Sequence, residues 1–157
     1  MKKILIIFFA FAILASGCKD DGPSLDAPSS KLEGINDDWQ LSEVLMIDKS
    51  AGPFALKEFD VSAAYFGSNP SEMSFNSADF TYTHNSGSAP DLFGASGTWA
   101  FDDNDFPTLI TINDGSGPKV LTLVRTVRAT DQTLQFEVTK DCAGSETIGY
   151  QYVFIRK

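Results

Sequence analysis

From residue 38 onward, apolar and polar side chains alternate one for one through segment after segment. A period of two puts alternate residues on opposite faces of an extended chain, so the pattern predicts strands and leaves little room for helix. The cleanest case is residues 132–139, where Leu134, Phe136 and Val138 alternate with Thr133, Gln135, Glu137 and Thr139. Residues 147–156 carry Ile148, Tyr150, Tyr152 and Phe154 on one face. Val153 and Ile155 on the other face predict an end covered on both sides. Trp39, Leu41, Glu43, Leu45 and Ile47 alternate with Gln40, Ser42, Val44 and Met46. Further strands are predicted over residues 72–75, 79–84, 97–101, 108–113 and 119–128.

The punctuation between these runs fits antiparallel hairpins. Asn113-Asp114-Gly115-Ser116-Gly117 supplies the positive-φ residues of a tight reversal. Asn76-Ser77-Ala78, Asp102-Asp103-Asn104-Asp105 and Ala129-Thr130-Asp131 each separate two strand-like runs. Only residues 53–64 hold a loose helical period, through Phe54, Leu56, Phe59 and Ala63. No repeat occurs, and nothing has the length and period of a crossover helix between parallel strands. About eight short strands in one small domain make a barrel or a sandwich. A domain of this size buries roughly two thirds of its unfolded surface, enough for one core.

The amino terminus is of another kind. Met1-Lys2-Lys3 precedes an unbroken apolar run from Ile4 to Ala15, too short for a membrane span, which needs roughly 18 apolar residues or more. Leu14-Ala15-Ser16-Gly17-Cys18 resembles the lipobox of bacterial lipoproteins, with Ala15 where Leu is usual. The resemblance implies removal of residues 1–17 as a signal peptide and a diacylglycerol on the Cys18 sulfur, with a further acyl chain usual on the new amine. Several acyl chains hold a protein on a membrane where one is marginal. Lys19-Asp20-Asp21-Gly22 is similar to the acidic surface-export signal of Bacteroidetes lipoproteins, which implies an outer-membrane location facing the cell exterior. Residues 18–31 are acidic, Pro- and Ser-rich and aperiodic, as a flexible tether would be. The predicted folded domain is residues 32–157.

Charge narrows the partners. The whole chain carries 12 basic and 21 acidic residues, a net charge of −9, and loses Lys2 and Lys3 with the leader. Such a surface excludes nucleic acid, whose binding needs cations to displace counterions from phosphate, and disfavours docking on anionic lipid. Acylation of Cys18 leaves Cys142 without an intramolecular partner. The single histidine, His84, reads as a polar residue at a strand end.

Leu32-Glu33-Gly34 followed by Trp39-Gln40-Leu41-Ser42-Glu43-Val44 resembles the opening of lipocalin-like domains in Bacteroidetes lipoproteins, a largely uncharacterised family. Phe93 to Asp103 with Phe106-Pro107-Thr108-Leu109-Ile110 resembles their middle hairpin, and Tyr152 to Lys157 their closing strand. In lipocalins the Trp follows the Gly by two residues; here Gly34 and Trp39 are five apart. The resemblance implies an all-β fold, an antiparallel up-and-down barrel of about eight strands. It also implies that Trp39 plugs the floor with Arg156 stacked over it.

An eight-stranded barrel is just wide enough to be filled by side chains or to hold one small ligand. Candidate lining residues are Phe80, Tyr82, Trp99, Phe136, Tyr150 and Tyr152, with Phe101 and Phe154 beside them. These aromatics serve equally as a pocket with tyrosine hydroxyls for handles and as the core that any such barrel needs. Asp102-Asp103-Asn104-Asp105 clusters oxygens but lacks the Gly and distal Glu of a calcium loop, so a solvated turn is expected and no metal. No nucleophile elbow, phosphate loop, histidine pair or cofactor motif occurs, and an enzyme is not expected. Two functions follow. One is a lipid-anchored barrel that binds a small hydrophobic ligand. The other is an accessory protein with a solid barrel, whose loops at Gly67-Ser68-Asn69-Pro70 and Ser86 to Asp91 contact an envelope protein.

Overall fold

The computed structural model describes residues 30–157 apart from Leu56 and Ala143, and the side chains of Cys142, Ser145 and Glu146 are also outside it. The leader, Cys18 and nearly all of the tether lie outside the described residues. Every strand expected from the alternation is present. In chain order they are β1 (Asp38–Asp48), β3 (Glu72–Asn76), β4 (Thr81–Asn85), β5 (Ser96–Phe101), β6 (Leu109–Asn113), β7 (Pro118–Leu123), β8 (Thr133–Cys142) and β9 (Ser145–Arg156). A short ninth strand, β2 (Glu58–Asp60), falls between β1 and β3.

All neighbours pair antiparallel, in the order β1-β3-β4-β5-β6-β7-β8-β9, and β9 returns to pair with β1. The result is a closed eight-stranded barrel with β2 added outside the ring, the lipocalin-like architecture that the resemblance implies. One edge of β1 is shared: Asp38–Gln40 faces β3, and Leu45–Ile47 faces β2.

Residues 53–64 do not form the expected helix. Backbone bonding to β1 wins instead: β2 pairs with β1, and Val61 N donates to Val44 O (2.9 Å). A single 3₁₀ turn (Ser62–Ala64) follows, fixed where Asp60 Oδ1 accepts from Ser62 N and Ser62 Oγ accepts from Val44 N, both 2.9 Å. Leu56, part of the supposed period, lies outside the described residues.

Leu32-Glu33-Gly34, where the resemblance begins, is helical: α1 (Lys31–Ile35). Ser30 and Glu33 form a capping box, the Ser30 hydroxyl accepting from Leu32 N (3.1 Å) and the Glu33 carboxylate from Ser30 N (3.3 Å). A second correction concerns β1. A bulge between Leu41 and Glu43 reverses the alternation, so Val44 is buried, opposite Tyr152, where the simple period would place Leu45. The end of β9 is covered only in part, with Val153 buried and Ile155 exposed. The 119–128 run stops as a strand at Leu123, and Val127 turns down into the core.

The core runs from Ile35 to Phe154 and is built around Trp39, Tyr82, Phe136 and Phe154, all fully buried. The described core side chains form one cluster inside a sheet that closes on itself. The described segment thus has a core and a closed hydrogen-bonded wall of its own.

Candidate ligand-binding site

One end of the barrel is sealed. Trp39 is fully buried and its Nε1 donates to Ile35 O of α1 (2.9 Å). The Arg156 guanidinium sits 4.9 Å from the Trp39 ring centroid, pairs with Asp37 (2.5 Å), and donates to Gly34 O and Asp131 O, both 3.1 Å. The stacked pair implied by the resemblance is thus present. The unusual five-residue spacing is accounted for by α1, whose last turn ends between the two residues. Gly34 is required there, because a Cβ would stand 2.9 Å from Val127 O and from the Arg128 carbonyl carbon.

Midway up, the interior is divided by a residue that no strand supplies. Phe93, from the loop between β4 and β5, is buried edge-on against Phe136 (5.5 Å), Tyr152 (5.4 Å) and His84 (5.2 Å). Its loop is pinned from below. Tyr82 Oη donates to Phe93 O (2.5 Å), and Asp91 Oδ1 accepts from Gly94 N (2.9 Å). His84 Nδ1 lies 3.2 Å from Gly94 O and Nε2 lies 2.9 Å from Ser71 Oγ. A carbonyl only accepts, so Nδ1 carries the proton and Nε2 accepts from the Ser71 hydroxyl. Burial lowers the His84 pKa, against the opposing pull of Asp91 and the Gly94 carbonyl, and the ring is neutral. Ser71 and His84 are both buried, and their contact with each other and with Gly94 O latches the Phe93 loop to the strands beneath it. Burial also raises the Tyr82 hydroxyl, helped by the negative charges of Asp114 and Asp91.

Above Phe93 lies a cavity of about 360 Å³ at the mouth. Its walls include Phe93, Leu121, Val138, Tyr150 and Tyr152, with Tyr65 closing one side, and no carboxylate is among its described lining residues. Burial, and a hydrogen bond with Tyr65, push the Tyr152 hydroxyl far above its ordinary range, so it stays protonated. Lys119 and Lys140 stand at the rim.

Of the six aromatics read as candidate lining, Tyr150 and Tyr152 reach this cavity. Phe136 lies beneath, stacked on Phe154 (5.3 Å). Tyr82 is buried with its hydroxyl engaged by the Phe93 loop. Trp99 is buried toward the sealed end, its Nε1 donating to Thr81 O (3.0 Å) and Asn76 O (3.2 Å). Phe80 is not inside the barrel: it occupies the β3–β4 turn at a φ of 55°, 38% exposed, its ring 5.4 Å from that of Trp99. Phe93 and Tyr65, which the alternation could not mark, sit on loops. Lys140 continues the inward face of Leu134, Phe136 and Val138.

Asp102 and Asp103 are turned onto their own loop. Asp102 accepts from Thr108 N, Thr108 Oγ1 and Leu109 N, which holds its carboxyl down to about 2. The two loops read as a partner surface are packed together, Ser88 N donating to Asn69 O (3.0 Å).

Residues 14–155 match the family described as "Domain of unknown function (DUF5004)". The chain belongs to this family. The match takes in nearly the whole barrel as well as residues 18–31. No curated protein matches the chain. For this family member, then, the geometry of the barrel is what bears on function.

Proposed function

We propose that the protein is a lipid-anchored lipoprotein of the bacterial outer membrane, of Bacteroidetes type and facing the cell exterior, whose barrel binds one small hydrophobic ligand without catalysing a reaction. The observation that carries the binding reading is the cavity above Phe93. At about 360 Å³ it falls within the roughly 300–1,000 Å³ usual for small-molecule sites. Its walls are apolar and aromatic, with few polar groups to fix an orientation, as such sites require. What supports the anchor is the sequence around Cys18, and the acidic Asp20-Asp21 supports the outward face.

Native mass spectrometry of the 30–157 barrel tests the binding reading. A co-purifying or added apolar molecule should be retained at one per barrel, and Val138→Trp, which fills the cavity, should abolish retention. A barrel that stays empty against a range of lipids would overturn it. Palmitate labelling lost in Cys18→Ser, and digestion of the protein by protease added to whole cells, test the anchor and its orientation.

A second reading, an accessory protein contacting an envelope partner, is favoured by Phe54 and Phe106, which stand well out in solvent. Scattered exposed apolar residues are common on monomers, and the cavity is the stronger argument. Crosslinking in intact cells that captures one stoichiometric protein and no small molecule would favour this second reading.

A further inference from the structure

The wall of the barrel is split beside the cavity. β7 and β8 are in register only at Thr122–Glu137 and Leu123–Phe136. Toward the mouth, residues 118–121 pair with β6 alone and residues 138–142 with β9 alone. Two facing strand edges therefore diverge, and the cavity lies between them, lined by Lys119, Val120 and Leu121 on one lip and Val138 and Lys140 on the other.

Each lip carries one cation. Lys119 is held by Asp114 at 2.5 Å. The Lys140 ammonium lies 5.5 Å above the Tyr150 ring, with no carboxylate at ion-pair distance among the described residues. Lys140 belongs to the inward face of β8, so its charge is directed over the cavity and not away from it. In a chain of net charge −9, the Lys140 ammonium is a local reversal of sign at the edge of an apolar cavity with no carboxylate among its described lining residues, while Lys119 is balanced by Asp114.

We propose that the cavity selects a single-headed anionic amphiphile, which enters sideways through the β7–β8 split and leaves its headgroup between Lys119 and Lys140. This rests on the cavity-binding reading above. The apolar tail displaces water from Leu121, Val138 and Phe93, while the head stays at the lips, where lysine ammonium groups reach solvent along their own apolar stems. Lys140 gives up only a cation–π contact to meet it. Lys119 remains bridged to Asp114, which orients it and tempers its contribution.

The test compares decanoate with decanol, equal in chain length and different in charge, by calorimetric titration of the 30–157 barrel. Decanoate should bind more tightly by roughly fivefold, and raised salt should erode the difference. Lys140→Gln should remove most of that preference; Lys119→Gln should remove less. Lys140 is exposed and Lys119 is half-buried in its pair with Asp114, and an unchanged thermal midpoint checks that each variant keeps the fold. Equal affinity for the two compounds, or a preference that survives the double substitution, would overturn the headgroup assignment while leaving the cavity reading intact. Binding of neither compound would overturn both.

Discussion

Replacing Phe93 with alanine tests whether a loop residue really forms the partition inside the barrel. A buried aromatic ring hides about 150–200 Å² of apolar surface, which at roughly 25 cal/mol/Å² contributes about 4 kcal/mol. That figure is an upper bound, because the unfolded chain is already partly compact. Truncation of buried phenylalanine generally costs about 3–5 kcal/mol, with the larger costs where a sealed void remains. Here the space left by the ring joins the open cavity above it and can fill with water, so a loss of about 3 kcal/mol is expected. The assay is urea unfolding followed by tryptophan fluorescence, with wild type and variant compared at equal slope. The enlarged cavity should also shift ligand preference toward longer chains. A loss below about 1 kcal/mol would refute the reasoning, since a ring in contact with Phe136, Tyr152 and His84 cannot be removed so cheaply.

Three further outcomes follow from the same packing. Arg156→Met strips Asp37, Gly34 O and Asp131 O of their partner and should cost about 2–4 kcal/mol, read by chemical denaturation. Gly34→Ala forces α1 away from the Val127–Arg128 backbone and should destabilise by about 1–3 kcal/mol, read the same way. His84 is held neutral by burial, so the unfolded chain takes up a proton near pH 6.5 that the folded one refuses. Its contribution is complete above pH 6.5 and declines as pH falls below, by at most about 1.4 kcal/mol per pH unit. His84→Gln should flatten the denaturation midpoint between about pH 6.5 and 5.5, above the range in which carboxylates titrate.

The sequence made the wall of this barrel legible and left its fittings obscure, for a physical reason. A strand half buried on one face must alternate, so β8 could be read residue by residue over Leu134, Phe136 and Val138. The bulge at Ser42 breaks that rule without any local mark, and it moved Val44 inward in place of Leu45. The capping box of Ser30 and Glu33 has too few apolar residues behind it to announce a helix of five residues. Residues 58–60 became strand because β1 had a free edge to pair with, which is a fact about the barrel and not about those residues. The partition was hidden most completely. Phe93 belongs to a loop, where no period says which side chains turn inward, and its place depends on bonds from Tyr82 and His84 on the neighbouring strand. Phe80 shows the converse: its parity matches Tyr82, yet a positive φ turns it out of the barrel.

A crystal structure of the barrel soaked with bromine-labelled decanoate tests the central claim directly, because the bromine locates itself by anomalous scattering. The account predicts one peak within the cavity above Phe93, against Leu121 and Val138, and the carboxylate density at Lys140. An empty cavity at saturating ligand, or bromine found only on the outer surface, would contradict it.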